Sequence, residues 1–255
     1  MKTKKKIEEK NPILEAIRNN QWYVADQLSA ARELQSRSIK RRYNFIQGSI
    51  EGYLKYYNEK PIRILDAGCG DGVQFQVLNQ IPEVEVWGVD YNPVRTNRAK
   101  QNFSGVNLVC CNLLSLSFRP ALFNIILCSQ VIEHVPRDDQ LLEQFANVLK
   151  PQGLLILGLP NEGCFMARLR NYLFERNILK STDHVHFYTE IIIRQKLKAT
   201  GFIIQEVMRE NWFFPHQLIN NYLANRDWGF RLMGWLNKII PSQTAGYYFS
   251  CMKCQ

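Results

Sequence analysis

At 255 residues the chain is long enough to bury one sizeable core, and its content of 46% hydrophobic and 22% charged residues excludes a disordered protein. No stretch approaches the roughly 20 apolar residues of a membrane-spanning helix, and no apolar signal segment follows the basic start, so we expect a cytoplasmic protein. The seven cysteines do not suggest a disulfide framework, and the CxxC of Cys251 and Cys254 has no second ligand pair nearby.

The net charge of +9 lies outside the central part of the chain. Residues 1–60 carry +6 and residues 151–255 carry +5, whereas residues 61–150 carry −2. Solvated helix faces and a basic tail explain this distribution without any function. The functional alternative is attraction to an anionic partner: a nucleotide-linked sugar, a lipid phosphate, a membrane surface or a nucleic acid.

The hydrophobic pattern changes near residue 60. Helical spacing over 13–57 predicts an N-terminal helical extension, 1–60, with inward positions at Leu28, Leu34, Ile39, Phe45, Ile46, Ile50 and Leu54. Short apolar runs then alternate with polar or helical stretches, at 62–67, 84–89, 106–111, 123–128 and 154–159. This alternation predicts an α/β domain, 61–255, whose parallel sheet is covered by helices on both faces.

After Pro160 the alternation loosens. We expect helices over 166–176 and 190–199, and late strands at 202–207 and 247–252. The intervening stretches exceed ordinary connections, so we predict insertions at 161–186 and 211–244.

A glycine-rich turn follows the first predicted strand. Gly68, Gly70 and Gly72 lie there, and a helix is expected to begin near Val73. The missing Cβ atoms let the backbone approach a ligand, and N–H groups at a helix start favour negative charge. Asp90 ends the next predicted strand, where its carboxylate can accept hydrogen bonds from two ribose hydroxyls. A tight turn without any ligand is the simpler alternative.

The spacing of the glycines discriminates between ligands. The dinucleotide fingerprint GxGxxG requires glycine at position 73, which is Val73 here. A dinucleotide is therefore disfavoured, and no P-loop sequence is present.

Five motifs in order resemble the class I S-adenosylmethionine (SAM)-dependent methyltransferase superfamily, especially its small-molecule, type 11-like group. They are LDAGCGDG, VDYNP, NLLSLSF, SQVIEHV and LKPQGLLILGLPN, and DHVHFYT extends the resemblance to about residue 207. The resemblance implies a doubly wound, Rossmann-like seven-stranded sheet of order 3-2-1-4-5-7-6 with the last strand antiparallel. It also implies SAM as methyl donor and S-adenosylhomocysteine as product.

The resemblance further implies cofactor-binding roles for ten residues. They are Asp66, Gly68, Cys69 and Gly70 around the methionine part, Asp90 at the ribose, Tyr91, Asn112 and Leu113 around the adenine, and Ser129 and Gln130 at the sulfonium end. Position 112 is often Asp in this group and is Asn here. An amide oxygen still accepts a hydrogen bond from the adenine amine, so we expect weaker binding at most.

Three residues are candidates for catalysis. Glu133 and His134 follow the fourth predicted strand, and His134 can act as a general base because imidazole titrates near neutral pH. A Glu-His pair that only braces its loop is an equal alternative. In similar proteins the DHVHFYT-like segment lies near the substrate cleft, so His184 is a candidate contact to the acceptor.

The same segment offers a less favoured interpretation. His184 and His186, with Asp183 and Glu190, could imitate metal ligands. Packing and hydrogen bonding explain an HxH loop better, so we predict no metal.

The acceptor is expected to contact the insertions, because specificity lies in segments grafted onto a fold. In 211–244 one helical face carries Trp228, Leu232, Trp235, Leu236 and Ile239. This face predicts a helix packed on the sheet or in a homodimer, an apolar lid, or peripheral membrane contact through 211–240.

An anionic group on the acceptor is a further expectation. Arg168, Arg170 and Arg176 lie close together in the first insertion and could hold a phosphate. We expect methylation of an O or N atom on a small-molecule, glycan- or lipid-linked acceptor.

Two other functions compete with this prediction. A nucleic-acid methyltransferase fits the basic charge, but the Asn/Asp-Pro-Pro-aromatic element of base-amine methyltransferases is absent after the fourth strand. A non-catalytic relative is disfavoured by the intact glycine loop and Asp90.

Overall fold

The computed structural model describes residues 37–57, 60–175 and 183–254, which build a seven-stranded sheet with helices on both faces. The strands are β1 (Ile62–Ala67), β2 (Val84–Asp90), β3 (Asn107–Cys110), β4 (Phe123–Ser129), β5 (Leu149–Pro160), β6 (Phe202–Arg209) and β7 (Gly246–Lys253). Their order is 3-2-1-4-5-7-6. Strand β7 runs antiparallel to β5 and β6, and the other pairs are parallel. The predicted fold class is confirmed.

Eight α-helices occur among the described residues. They are α1 (Arg37–Leu54), α2 (Phe75–Leu78), α3 (Pro93–Asn102), α4 (Asp138–Val148), α5 (Phe165–Leu169), α6 (Glu190–Ala199), α7 (Gln217–Ala224) and α8 (Asp227–Ile239). Side-chain caps set several of their starts: the Asn92 side chain accepts from the Val94 and Arg95 N–H groups, and the Thr189 side chain accepts from Ile192 N–H.

Two helix predictions were wrong at their boundaries. The helix expected near Val73 begins at Phe75 and has one turn, because the glycine turn extends through Gly72. The helix expected over 166–176 ends at Leu169 and continues as a π-helical turn over Arg170–Phe174. Position 176 lies outside the described residues.

The central strands β1, β4, β5 and β7 are largely buried on both faces, which explains their continuous apolar runs, whereas the edge strands β3 and β6 are partly exposed. Alternate strand residues join two separate clusters. One packs beneath α4 and α6 and includes Leu65, Val89, Cys128, Leu157, Phe145 and Ile193. The other packs beneath α1, α2 and α3 and includes Ile64, Ile125, Ile156, Ile50, Phe75 and Ala99.

Helix α1 is the described part of the predicted N-terminal extension. Ile46 and Ile50 are fully buried in the second cluster, and Tyr53 is nearly so. The predicted inward positions Leu28 and Leu34 lie outside the described residues. Helix α1 therefore completes the core of the sheet domain, although it precedes β1.

The second insertion folds as the helix pair α7 and α8. Gly229 and Met233 are the buried residues of α8, and Met233 packs with Trp212 and Leu223. The hydrophobic face of α8, for which packing on the sheet was one of the expectations, is largely exposed: Trp228 is 55% and Trp235 58% accessible. Of this face only Leu236 is partly buried, against the cluster of Trp212, Leu223 and Met233, whereas Trp228, Leu232, Trp235 and Ile239 are exposed in the described part of the chain. Among the same residues, no helix combines the length and apolar character that a membrane crossing requires.

Candidate functional site

The loop after β1 is fixed by backbone hydrogen bonds and by left-handed glycines. The N–H groups of Gly68 and Cys69 both donate to Val89 O, at 2.7 and 3.0 Å. Gly68 has φ +84°, and a Cβ there would lie 2.4 Å from a methyl group of Val131. Only glycine lets the loop after β1 approach the loop after β4 this closely.

Asp90 ties this loop to the end of β2. Its two carboxylate oxygens accept from the N–H groups of Gly70 and Asn92, both at 2.8 Å. Burial raises the pKa of Asp90, while the two backbone donors lower it. Each carboxylate oxygen has a further lone pair, so the side chain can still accept from a ligand.

These loops surround one cavity of about 750 Å³ at the carboxyl ends of the parallel strands. All ten residues predicted to bind a cofactor line it, and so does His134. The remaining lining residues are Arg42, Val73, Gln74, Pro93, Arg95, Cys110, Cys111, Leu114, Val131, Val135 and Pro136. The volume suits a ligand the size of a nucleoside with an amino-acid tail.

Asp66 lies in the wall of the cavity and is 1% exposed. Within the described chain, its Oδ2 has no hydrogen-bond partner. Burial, and then the neighbouring Asp90, raise the pKa of Asp66 to about 8. A buried carboxylate without a partner is costly, so this site is suited to a cationic group.

At the far end of the cavity, the lining residues Arg42 and Ser129 contact residues from distant parts of the chain. Ser129 Oγ and Tyr248 Oη are 2.6 Å apart, and burial raises the pKa of Tyr248 to about 12. The guanidinium of Arg42 lies 5.8 Å from the Tyr248 ring centroid and pairs with Glu210. Gln130 adopts φ +57°, an uncommon conformation for a non-glycine residue that often marks functional sites.

The three predicted catalytic residues come together beside this end. Glu133 is 1% exposed, and ligand atoms of Glu133, His134 and His184 all lie within 4.8 Å of one another. Burial raises the pKa of Glu133 to about 7. Burial and the adjacent His184 lower the pKa of His134 to about 4, so its imidazole is neutral at physiological pH.

The segment 183–188 is held against the turn after β4. Val185 N–H and His186 N–H donate to Glu133 O at 2.9 and 3.2 Å, and His186 Nε2 donates to Val135 O at 3.0 Å. His186 therefore has the packing and hydrogen-bonding role expected of it. Glu190 pairs with Arg194 and Arg209, so the alternative ligand set with Glu190 does not assemble.

Of the three arginines expected to hold a phosphate, Arg170 is not available for that role. Arg170 is buried, donates to Glu162 Oε1 at 3.1 Å and lies 5.2 Å from the Phe213 ring centroid. Arg168 is exposed, and position 176 is outside the described residues. Arg170 is thus engaged by Glu162 and Phe213, and among the described residues it does not combine with Arg168 into an anion site.

The geometry agrees with a comparison of the sequence against protein families. The model described as "Methyltransferase domain" matches residues 37–207. The chain belongs to this methyltransferase family, within the class I SAM-dependent superfamily. The match begins at the first residue of α1, consistent with the contribution of that helix to the core.

Relatives of this methyltransferase include the ubiquinone biosynthesis O-methyltransferase of Coxiella burnetii. It is 27% identical over 187 residues, which cover 68% of this chain and 78% of that protein. The corresponding protein of Neisseria meningitidis is 26% identical over 106 residues, covering 39% of this chain and 44% of that protein.

Solved structures show the same fold at lower identity. Phosphoethanolamine N-methyltransferase 2 of Haemonchus contortus, in complex with S-adenosylhomocysteine, has a TM-score of 0.55 and 21% identity, covering 80% of this chain and 52% of that one. The cyclase SpnF has a TM-score of 0.55 and 17% identity, covering 77% of this chain and 76% of that one. The fold thus serves more than one reaction.

Sequence reasoning missed three residues of the methyltransferase site: Arg42, Glu162 and Tyr248. Glu162 was detectable, because it follows the carboxyl end of β5 and such positions meet at the ligand edge of the sheet. Arg42 and Tyr248 lie on α1 and in the middle of β7, and no local pattern relates either of them to the cavity.

Proposed function

We propose that this methyltransferase binds SAM in the cavity and methylates an oxygen atom of a small-molecule acceptor, either free or linked to a glycan or lipid. The observation that carries the proposal is that all ten residues to which the resemblance assigns a cofactor-binding role line one cavity, with His134 in its wall. The Coxiella burnetii relative, whose match covers 68% of this chain, is named an O-methyltransferase, and this supports oxygen as the acceptor atom.

The residues present fit SAM. The Asp66 Oδ2 that lacks a partner among described residues would bind the ammonium of the methionine part. Asp90 would accept from ribose hydroxyls, and the 42%-exposed ring of Tyr91 would cover the adenine. Asn112 Oδ1 already accepts from Leu114 N–H at 2.9 Å, so its second lone pair would remain for the adenine amine.

Bound SAM supplies an electrophilic methyl group on a good leaving group, so the protein must mainly align the acceptor and exclude water. The acceptor oxygen forms the new bond to carbon while the carbon–sulfur bond breaks, and the hydroxyl proton leaves. The neutral imidazole of His134 lines the cavity where that proton would depart. His184, beside it, would orient His134 or the acceptor.

The test is to incubate the purified protein with methyl-labelled SAM and an extract of the native cell. Label is then partitioned among organic, aqueous small-molecule and nucleic-acid fractions, with Asp90→Ala as the control. Label in the organic or small-molecule fraction, absent with the control, supports the proposal. Label in nucleic acid would establish the rival acceptor class, and failure to bind SAM would favour a non-catalytic relative.

The exposed face of α8 supports a second proposal, that this helix lies on a lipid surface where the acceptor is presented. Trp228, Leu232, Trp235 and Ile239 recur on one side, while Arg231 and Lys238 are exposed beside them. Apolar residues flanked by basic ones suit a helix lying on an anionic lipid surface, where a lipid-linked acceptor would be presented. Co-sedimentation with phosphatidylglycerol vesicles tests this part, and self-association in sedimentation analysis would indicate a homodimer face instead.

A further inference from the structure

The cluster of Glu133, His134 and His184 has the chemistry of a metal site, although the sequence led us to predict none. One ligand atom from each residue lies within 4.8 Å of the other two. In a tetrahedral site, Zn–N and Zn–O bonds of about 2.0–2.2 Å hold ligand atoms roughly 3.5 Å apart. Small side-chain rotations would therefore bring all three atoms onto one ion.

A second observation is independent of this proximity. Glu133 is 99% buried, and its Oε2 has no hydrogen-bond partner among residues 37–57, 60–175 and 183–254. A buried carboxylate oxygen normally has a donor or a cation beside it. A cation among the three side chains would supply the missing partner.

The surroundings of His184 also match those of a metal-bound histidine. Its Nδ1 lies 3.2 Å from Glu162 Oε2, and Arg170 holds the other carboxylate oxygen. Such a carboxylate beside one ring nitrogen fixes the ring and leaves the other nitrogen for the metal. The backbone bonds from Val185 and His186 to Glu133 O hold the two ligand-bearing segments together.

We propose that Glu133, His134 and His184 bind a divalent cation, best matched by Zn²⁺, which takes the acceptor hydroxyl as its fourth ligand. Two histidines and one glutamate with an open position are a ligand set of catalytic zinc sites. Because His134 also lines the cavity, the ion would contact the acceptor directly. With its ring nitrogen on the ion, His134 would act as a ligand instead of a base. The ion would orient the acceptor oxygen and lower the pKa of its hydroxyl, whose proton would pass to water. This inference rests on the proposed function, since it assigns the ion to the acceptor.

The test measures Zn²⁺ binding by titration calorimetry on the full chain after EDTA treatment, with Co²⁺ absorption as a report of coordination geometry. Glu133→Gln and His184→Gln remove ligands with little change of shape. His186→Gln is the matched control, because it lies in the same segment and its ring bonds Val135 O. Cys254→Ser excludes the exposed cysteine of the CxxC as the ligand.

We expect one Zn²⁺ per chain with a Kd of about 1 μM or tighter, weakened about 100-fold or more by either ligand variant. The two controls should stay within about threefold of the unmodified chain. Failure of that chain to bind Zn²⁺, or equal Kd values in all variants, would overturn the inference.

S-adenosylhomocysteine binding is measured on the same samples, so that unfolded variants are recognised. If cofactor binding and methyl transfer both persist undiminished in the metal-free chain, the metal site is wrong and the proposed function stands. Loss of cofactor binding in the unmodified chain would instead overturn the proposed function.

Discussion

The two ends of the cavity are built in different ways. At the end that we propose binds the cofactor, Gly68 follows β1, Asp90 is the last residue of β2 and Asn112 lies two residues after β3, and the pairing of these neighbouring strands brings the three together. At the other end, Arg42 comes from α1, and Tyr248 of the last strand, 206 positions later, contacts the lining residue Ser129. Local sequence determines the first end, whereas long-range packing determines the second. Substitutions should therefore have predictable effects at the cofactor end.

The largest effect is expected from Gly68→Ala. The new Cβ would lie 2.4 Å from Val131 Cγ2, and the residue has φ +84°. Both the strain and the collision distort the loop that borders the methionine pocket. We expect S-adenosylhomocysteine affinity, measured by titration calorimetry, to fall by at least about 100-fold.

Gly105→Ala is the matched control for this prediction. Gly105 has φ +83°, and an added Cβ would meet nothing within 4 Å among the described atoms. This variant should lose about 1 kcal/mol of stability and keep its affinity within about twofold. Equal affinity losses in both variants would show that backbone strain, and not the approach to Val131, controls the loop.

The second-largest effect on cofactor affinity is expected from Asp90→Ala. The substitution removes the acceptor of two backbone bonds together with the proposed ribose contact. Cofactor affinity should fall by about 10- to 100-fold. Glu85→Ala is the control, because Glu85 lies on the same strand, pairs with Arg63 and is absent from the cavity wall. Unchanged affinity in Asp90→Ala would disprove the ribose assignment.

How much the sequence predicts follows the same division. The strand order and the ten residues predicted to bind the cofactor followed from the family resemblance, which motifs at consecutive strand ends carry. The ten residues line one cavity because each strand places its own terminal residues there. The sequence did not predict whether the hydrophobic face of α8 points inward or outward, since a hydrophobic pattern does not identify what covers it. Arg170 appeared available for a phosphate only because its partner Glu162 lies eight positions away, beyond any helical pairing rule.

A moderate effect on stability is expected when a change of pH alters the protonation of Asp66. Its pKa is about 8 in the folded chain and about 3.9 when unfolded, so the folded state holds the proton more tightly. Stability of the ligand-free protein should therefore fall as pH rises from about 4 to 8 and then level off. Relative to Asp66→Asn, the unmodified chain should lose about 2 kcal/mol between pH 6 and 8.5.

Chemical denaturation of both proteins at the two pH values measures this difference. The same Asp66→Asn variant should bind S-adenosylhomocysteine more weakly, because it lacks the charge that would face the ammonium. A stability gap that does not change with pH would show that Asp66 is ionised in the folded protein. If the stability gap changes with pH but Asp66→Asn binds S-adenosylhomocysteine as tightly as the unmodified chain, the ammonium of the ligand does not bind at Asp66.

The smallest effect on stability is expected from substitutions on the exposed face of α8. Trp228 and Trp235 are more than half exposed, so changing both to Ser should alter the free energy of unfolding by no more than about 0.5 kcal/mol. Met233→Ser, on the buried side of the same helix, should cost about 2 kcal/mol or more.

The double variant should nevertheless lose most of its co-sedimentation with anionic vesicles, because aromatic side chains anchor an interfacial helix. A large loss of stability in the double variant would mean that the face is covered within the chain, and the lipid surface would then be excluded as its partner.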